Sequence, residues 1–244
     1  MADNNEGEIL FLKGYPFYMK QPTAKMNDLF MKYELMLRDV LGEDVVSVYS
    51  IGSGAIPGMV GSPMIDLILA MKNYPPTEEQ LTKLKSVYLG LIGDGKSPHD
   101  PNDTWLQNLD FPSSGDFEAF KVNGAFPPDG YLGRLSVHVV HYKNQFIGKA
   151  LCFIEFLKQN KEAFNKYRDV KIEGARLQSS GGDAAVSAKP SDLVIPSHLS
   201  DAVSGPSPFI KYKMYKAAAV SELMQSSAKW REEGNFVLPQ ELIK

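Results

Sequence analysis

The sequence predicts an α/β protein of the α+β kind: one mixed β-sheet, helices packed on it, and a helical C-terminal part. Three observations predict it. Val45 to Ile51 has the length of one strand and is β-branched or aromatic at most positions. Met64 to Met71, MIDLILAM, is apolar on both faces, as a central strand is when both faces of its sheet are covered. Several other segments repeat apolar residues every three or four positions, the period of a helix with one buried stripe.

Taken in order, residues 1–20 form an N-terminal segment with a polar, loose start and a short strand over Glu8–Lys13. The core spans 21–178. Thr23–Leu41 is a helix whose stripe is Met26, Leu29, Phe30, Tyr33, Leu37, Val40 and Leu41, and Gly42 ends it. After the two central strands, Thr77-Glu78-Glu79-Gln80 is a capping box that opens another helix. The acidic loop 93–103 lacks the spacing and the closing Glu of an EF-hand, so it reads as solvated loop. Phe117–Val122 and Arg134–Tyr142 read as a hairpin, and Gln145–Lys158 and Lys161–Arg176 as helices. Residues 179–208, rich in Ser, Gly, Ala and Pro, predict a flexible insertion or lid. Residues 209–244 hold a last helix packing on the core, with Tyr212, Tyr215, Ala219, Leu223 and Trp230 turned inward.

Composition excludes several classes. Apolar residues make up 43% of the 244, enough for a core, so global disorder is excluded. A net charge of −3 argues against a broad basic surface for nucleic acid or anionic membranes, though not against a local basic pocket. The single cysteine, Cys152, allows no intramolecular disulfide and no Cys-rich metal site; in KALCFIEFL it reads as a core residue. There is no run of about 20 apolar residues to span a membrane, and MADNNEGE has the make-up of neither a signal nor a transit peptide. A cytoplasmic protein away from membranes is the expectation.

Asp66 stands alone inside the apolar run. A carboxylate there is costly unless it is hydrogen-bonded, paired or bound to a cation. Ahead of it lie Gly52-Ser53 and a loop punctuated by Gly54, Pro57, Gly58, Gly61 and Pro63. Gly-Ser followed at about a dozen residues by a strand Asp resembles the signature of the nucleotidyltransferase fold. More narrowly, IGSGAIPGMVGSPMIDLIL is similar to the I-G-S-T-A-V-P-G-L-x-x-K-P-I-I-D-I-L stretch of the GrpB-like family. It departs from that stretch at Gly54, where the family has Thr, and at Ser62, where it has Lys. LSVHVV resembles the family's H-L-H-V-V strand. FIGKALCFIEFLKQNKEAFNKYRDVK resembles its next helices with their Tyr-x-x-x-Lys pattern, and YKAAAVSELMQSSAKW resembles its closing helix with the Lys displaced to Lys216. Together the likeness covers most of residues 20–232, though the 179–208 stretch has no counterpart.

The resemblance implies a nucleotidyltransferase-like mixed sheet and a cleft where the Gly-Ser loop meets a nucleotide's phosphates and strand acids hold Mg²⁺. It implies Asp66 as metal ligand. The superfamily's Asp-x-Asp is broken here: the second position is Ile68. Two-metal chemistry needs several oxygen ligands around ions roughly 4 Å apart, which one Asp cannot supply. Glu118 is a poor substitute from a later strand.

Each candidate carries two readings. Asp66 is a Mg²⁺ ligand or base, or else a buried acceptor of backbone N–H groups. Gly52 and Ser53 present N–H groups and a hydroxyl to phosphate, or else form a plain turn. Arg134, Ser136 and His138 alternate onto one strand face. His138 is a proton carrier or orienting group and Arg134 an anion fork, or else they are a satisfied core His and a strand-end Arg. Lys121 reaches a phosphate or snorkels to solvent. Tyr212, Lys213 and Lys216 close over an anion or form a solvated first turn. No P-loop, Gly-x-Ser-x-Gly or His-Glu-x-x-His motif is present.

The leading expectation is Mg²⁺-assisted chemistry on ATP or another nucleoside triphosphate: nucleotidyl transfer to a small molecule, or activation of a carboxylate for ligation. Catalytic duty falls to Asp66, His138 and Arg134, and cofactor binding to Gly52, Ser53, Lys121 and Lys216. The alternative is a pocket that transfers nothing. It would bind a nucleotide or small acid, or use His138 without metal.

Overall fold

The structure is a computed structural model. It describes residues 9–12, 15–18, 23–61, 64–80, 82–83, 120–123, 134–179 and 208–242. The acidic loop at 93–103, Glu118, the turn of the expected hairpin and the body of the 179–208 insertion lie outside the described residues.

Strands β1 (Ile9–Leu12) and β2 (Tyr15–Tyr18) pair antiparallel as a small separate sheet. The expected strand at Glu8–Lys13 is β1; β2 is an addition. Helix α1 (Thr23–Leu41) follows, and Gly42, at φ 61°, turns the chain out of it. The main sheet contains β3 (Val45–Ile51), β4 (Met64–Met71), β5 (Phe120–Asn123) and β6 (Arg134–His141) in the order β3-β4-β6-β5. It is mixed: β4 runs antiparallel to β3 and parallel to β6, while β5 and β6 are antiparallel. Helices α2 (Gln145–Gln159), α3 (Lys161–Ser179) and α4 (Pro208–Glu232) complete the described chain, with a short tail after them.

Side-chain alternation along β4 sorts the core into two layers. Ile65, Leu67, Leu69 and Met71 point to one face, where Met26, Tyr33, Leu37 and Leu41 of α1 cover them. Ile68 and Ala70 point to the other, under Ile147, Ile154, Phe156 and Leu157 of α2, Tyr167 of α3 and Leu223 of α4. This is why β4 reads as apolar on both faces: it is central, and helices cover both sides. The stripe expected of α1 is the stripe that is buried.

The helical layer is held by local devices. Asn144 caps α2 by accepting from Phe146 N at 2.8 Å. Asn160 separates α2 from α3, closing the first with its N–H to Phe156 O and opening the second by accepting from Ala163 N at 2.9 Å. Cys152 is buried on α2 with its thiol donating to Ser227 O, the core role expected of it. Burial pushes that thiol above its ordinary range, against the pull of the Ser227 bond and Arg231. After α4, Leu238 of the tail lies against Gly148 of α2, where an added Cβ would come within 2.8 Å of it.

The capping box is formed as well. Thr77 N donates to Gln80 Oε1 at 2.8 Å and Gln80 N to Thr77 Oγ1 at 3.2 Å. Gln80 Nε2 also donates to Asp44 Oδ2, tying this helix start to the loop after α1. Thr77→Ala is expected to lower stability by about 1 kcal/mol, read from chemical denaturation. A serine at the same position should restore most of it.

Candidate functional site

Gly52 leaves β3 at φ 68° and ψ −167°, and Ser53–Ala55 then form one turn of 3₁₀ helix. The register places Ile51 opposite Asp66, so the loop leaves the sheet directly beside that carboxylate. The approach is close: a Cβ on Gly52 would lie 2.5 Å from Asp66 Oδ2. The glycine therefore has two reasons to be glycine, a left-handed backbone and an acid seated against its Cα. Gly52, Ser53 and Asp66 are all partly exposed. The sequence places these three together, and so does the structure.

Neighbouring strands extend the same face. Asp66 pairs with Ser136 of β6, and Ile68 with His138, so the Asp66 row and the His138 row are adjacent. Two residues along a strand separate such rows by roughly 6.5 Å. Ser136 is fully buried; His138 is partly buried, with its ring 5.4 Å from that of Phe146. Arg134 takes the register position opposite Met64, one row the other way, and Lys121 of β5 the position opposite His138. The side chains of Arg134, Lys121 and Lys213 lie outside what the structure describes. Alternation thus gathers Asp66, Ser136 and His138 on the face that carries Ile68 and Ala70, the one covered by α2, α3 and α4.

The helices add what sequence reasoning passed over. Lys171 of α3 is 1% exposed, and among the described residues it forms no salt bridge. Its ammonium stands 5.0 Å from the ring centre of Tyr167, one turn back. Lys216 of α4 repeats the arrangement, 5.1 Å from the ring centre of Tyr212. The two helices run antiparallel: Gly174 receives Tyr212 and Tyr215, and Lys166 is paired with Glu222. Gly174 lets them close, since a Cβ there would be 2.9 Å from the Tyr215 ring. The close crossing brings Lys216 to Lys171 and Tyr212 to Tyr167.

These groups feel one another and Asp66. Burial holds Lys171 well below the ordinary lysine range; Lys216 adds to the depression and Asp66 opposes it. Burial, with a further push from the Asp66 carboxylate, keeps the Tyr167 phenol protonated far above its usual range. Tyr212 is raised in the same way, by burial and by Tyr167. One carboxylate from the sheet, two ammonium groups and two phenols from the helices therefore form one electrostatic unit.

The metal fit is narrower. Among the described residues no three His, Cys, Asp or Glu side chains converge. Ile68, where a second Asp would stand, is fully buried in the core. The donors here do not fit a pair of protein-held ions.

No helix among the described residues is long and apolar enough to cross a membrane. A comparison with curated proteins finds no match. Among solved structures, the conserved protein GrpB from Enterococcus faecalis is similar, with a TM-score of 0.55 at 18% identity over 86% of this chain and 95% of that one. At that identity the likeness concerns the fold. The family model described as GrpB protein matches residues 17–191, well over half of the chain and all of the Gly52 to Asp66 stretch. The chain belongs to the GrpB family.

Proposed function

We propose that this protein binds a nucleoside triphosphate between the Gly52–Ser53 loop and the α3–α4 crossing, and acts on it with Mg²⁺ at Asp66. The reaction would be nucleotidyl transfer to a small molecule, or activation of a carboxylate for ligation. The observation that carries this reading is the seat of Asp66 against Gly52, which places an acid beside a loop turn at a strand end. Ser53 and the loop N–H groups would meet phosphate oxygens. Mg²⁺, when bound, would neutralise phosphate charge. Lys216 would offset more of it from the helix side, and His138, one row deeper, would serve the acceptor.

Ile68 supports a second reading. With no second acid in the strand, the same pocket would bind a nucleotide or a small acid and transfer nothing. The fold alone does not decide between them.

A thermal-shift panel of nucleoside triphosphates, each with and without Mg²⁺, tests both. On the transfer reading, Mg²⁺ increases stabilisation of the wild type by a nucleotide, and Asp66→Asn removes that increase while the free protein still folds. Asn keeps the shape and most hydrogen bonding of Asp and removes its charge. If Asp66 is only a backbone acceptor, Asn instead lowers stability by about 1–3 kcal/mol. Nucleotide stabilisation equal in wild type and Asp66→Asn at every Mg²⁺ level would end the metal reading.

A further inference from the structure

Tyr167 and Lys171 sit one turn apart on α3 and are deeply buried, at 7% and 1% exposure. The lysine nitrogen stands over the Tyr167 ring, 5.0 Å from its centre, and that ring meets Phe153 of α2 edge-on. Among the described residues neither Lys171 Nζ nor Tyr167 Oη takes part in a hydrogen bond or a salt bridge. Buried polar atoms nearly always have a partner, so two bare ones on adjacent turns mark a place for one. Their types say what it is. The phenol is a donor, kept protonated by burial and by the Asp66 carboxylate. An amine buried without an ion pair is favoured in its neutral form. Burial and the charge of Lys216 on α4 both push Lys171 that way, against the pull of Asp66 on β4. A neutral amine offers a lone pair, and desolvation beside a second cation is how a lysine becomes a nucleophile. A nucleophile and a donor in one apolar place fit the two ends of a carbonyl group.

We propose that Lys171 is a nucleophile that forms a Schiff base with a small aldehyde or ketone, and that Tyr167 holds the carbonyl oxygen. The nitrogen lone pair forms the C–N bond as the C=O π bond breaks onto oxygen, where the Tyr167 hydroxyl stabilises the new charge by hydrogen bonding. One proton passes from nitrogen to oxygen, giving a carbinolamine. The C–O bond then breaks, the second nitrogen proton leaves with the oxygen as water, and an imine remains. The step needs no oxidant or reductant. Substrates enter beside Asp66 and Lys216, both partly exposed. Ala163 and Ala175, one turn beyond the pair at either end, and Phe153 favour an apolar body on the carbonyl compound. The proposal does not rest on nucleotide binding.

Propanal with sodium cyanoborohydride is the probe. The hydride reduces an imine to a stable secondary amine, and peptide mass spectrometry reads the label residue by residue. At neutral pH, Lys171 of the wild type should be propylated at least about 10-fold faster than Lys166, an exposed lysine of the same helix whose amine is almost all protonated. From neutral to mildly alkaline pH the ratio of the two rates should fall roughly 10- to 100-fold, because the neutral fraction of Lys166 grows about tenfold per pH unit and that of Lys171 changes little. In urea the advantage of Lys171 should vanish. Tyr167→Phe keeps the ring and its packing, and should slow Lys171 roughly 100-fold, the low end for one lost oxyanion donor, while leaving Lys166 unchanged. Folded Lys171 labelled no faster than Lys166 overturns the proposal, and so does an advantage that survives unfolding. A Tyr167→Phe rate equal to that of wild type overturns the role of the phenol. Whether a nucleotide binds enters none of these readings, so their failure leaves the proposed function standing.

Discussion

Gly52→Ala should destabilise the protein by roughly 2–5 kcal/mol and remove ligand-induced stabilisation with it. Two effects add. An L residue held at φ 68° suffers the left-handed penalty, about 1–2 kcal/mol. The new methyl would also stand 2.5 Å from Asp66 Oδ2, so loop or carboxylate must shift, at about 1–3 kcal/mol for an overpacked position. Melting should fall by about 5–15 °C for a chain of this size. Gly58→Ala is the matched control. Gly58 has φ 74°, yet a Cβ there meets nothing within 4 Å, so only the backbone penalty applies. The difference between the two variants isolates the contact with Asp66. Equal losses would mean that the carboxylate is not fixed against the loop, and the site geometry would lose its centre.

That contact was half legible in the sequence. The lone acid in MIDLILAM and the glycines ahead of it mark both partners, and the strand bounds 45–51 and 64–71 follow from local hydrophobic pattern alone. Helix α1 was legible for the same reason: its period decides both its length and its buried side. Strand β2 was not. It is four residues long and contains Pro16, which cannot donate to a ladder, so the pattern argued against it. The broken Asp-x-Asp was legible too, and the burial of Ile68 gives it a physical meaning: that position belongs to the core.

Lys171 shows why the rest was hidden. Ala163, Tyr167, Lys171 and Ala175 lie four apart, and all four are buried. On spacing alone Lys171 is an inward residue. Its type argues the opposite, because lysine is almost never fully buried. The conflict is settled by a contact distant in sequence, α4 crossing α3 at Gly174, which no local window contains. The sign available beforehand was the repeated Tyr-x-x-x-Lys spacing in two separate helices. A polar residue that interrupts an apolar stripe, and does so twice with the same neighbour, is a stronger signal than either occurrence.

The burial of Lys171 has a consequence for stability that differs in sign from most losses of a charged residue. Lys171→Met keeps the length of the stem and its packing but removes the ammonium. It should raise stability by about 1–4 kcal/mol near pH 7, the gain seen when buried charges give way to apolar side chains. The gain must depend on pH in a definite direction. The folded protein holds this lysine well below its ordinary range, whereas the unfolded chain titrates it near 10.4. Between those two limits the unfolded state binds the extra proton, so wild-type stability from this group rises with pH. Below the folded value the full penalty remains; above about pH 10.5 the amine is neutral in both states and the penalty is gone. Methionine carries no such dependence. Between pH 7 and pH 10 the gap between variant and wild type should therefore narrow, and subtracting the two curves cancels the other titrating groups. Urea unfolding of both proteins at pH 7, 8.5 and 10 measures it. A gap that stays constant, or a variant less stable than wild type at pH 7, would show that Lys171 is charged and well paired in the free protein. It would then be a structural cation, held by its neighbours in the folded chain.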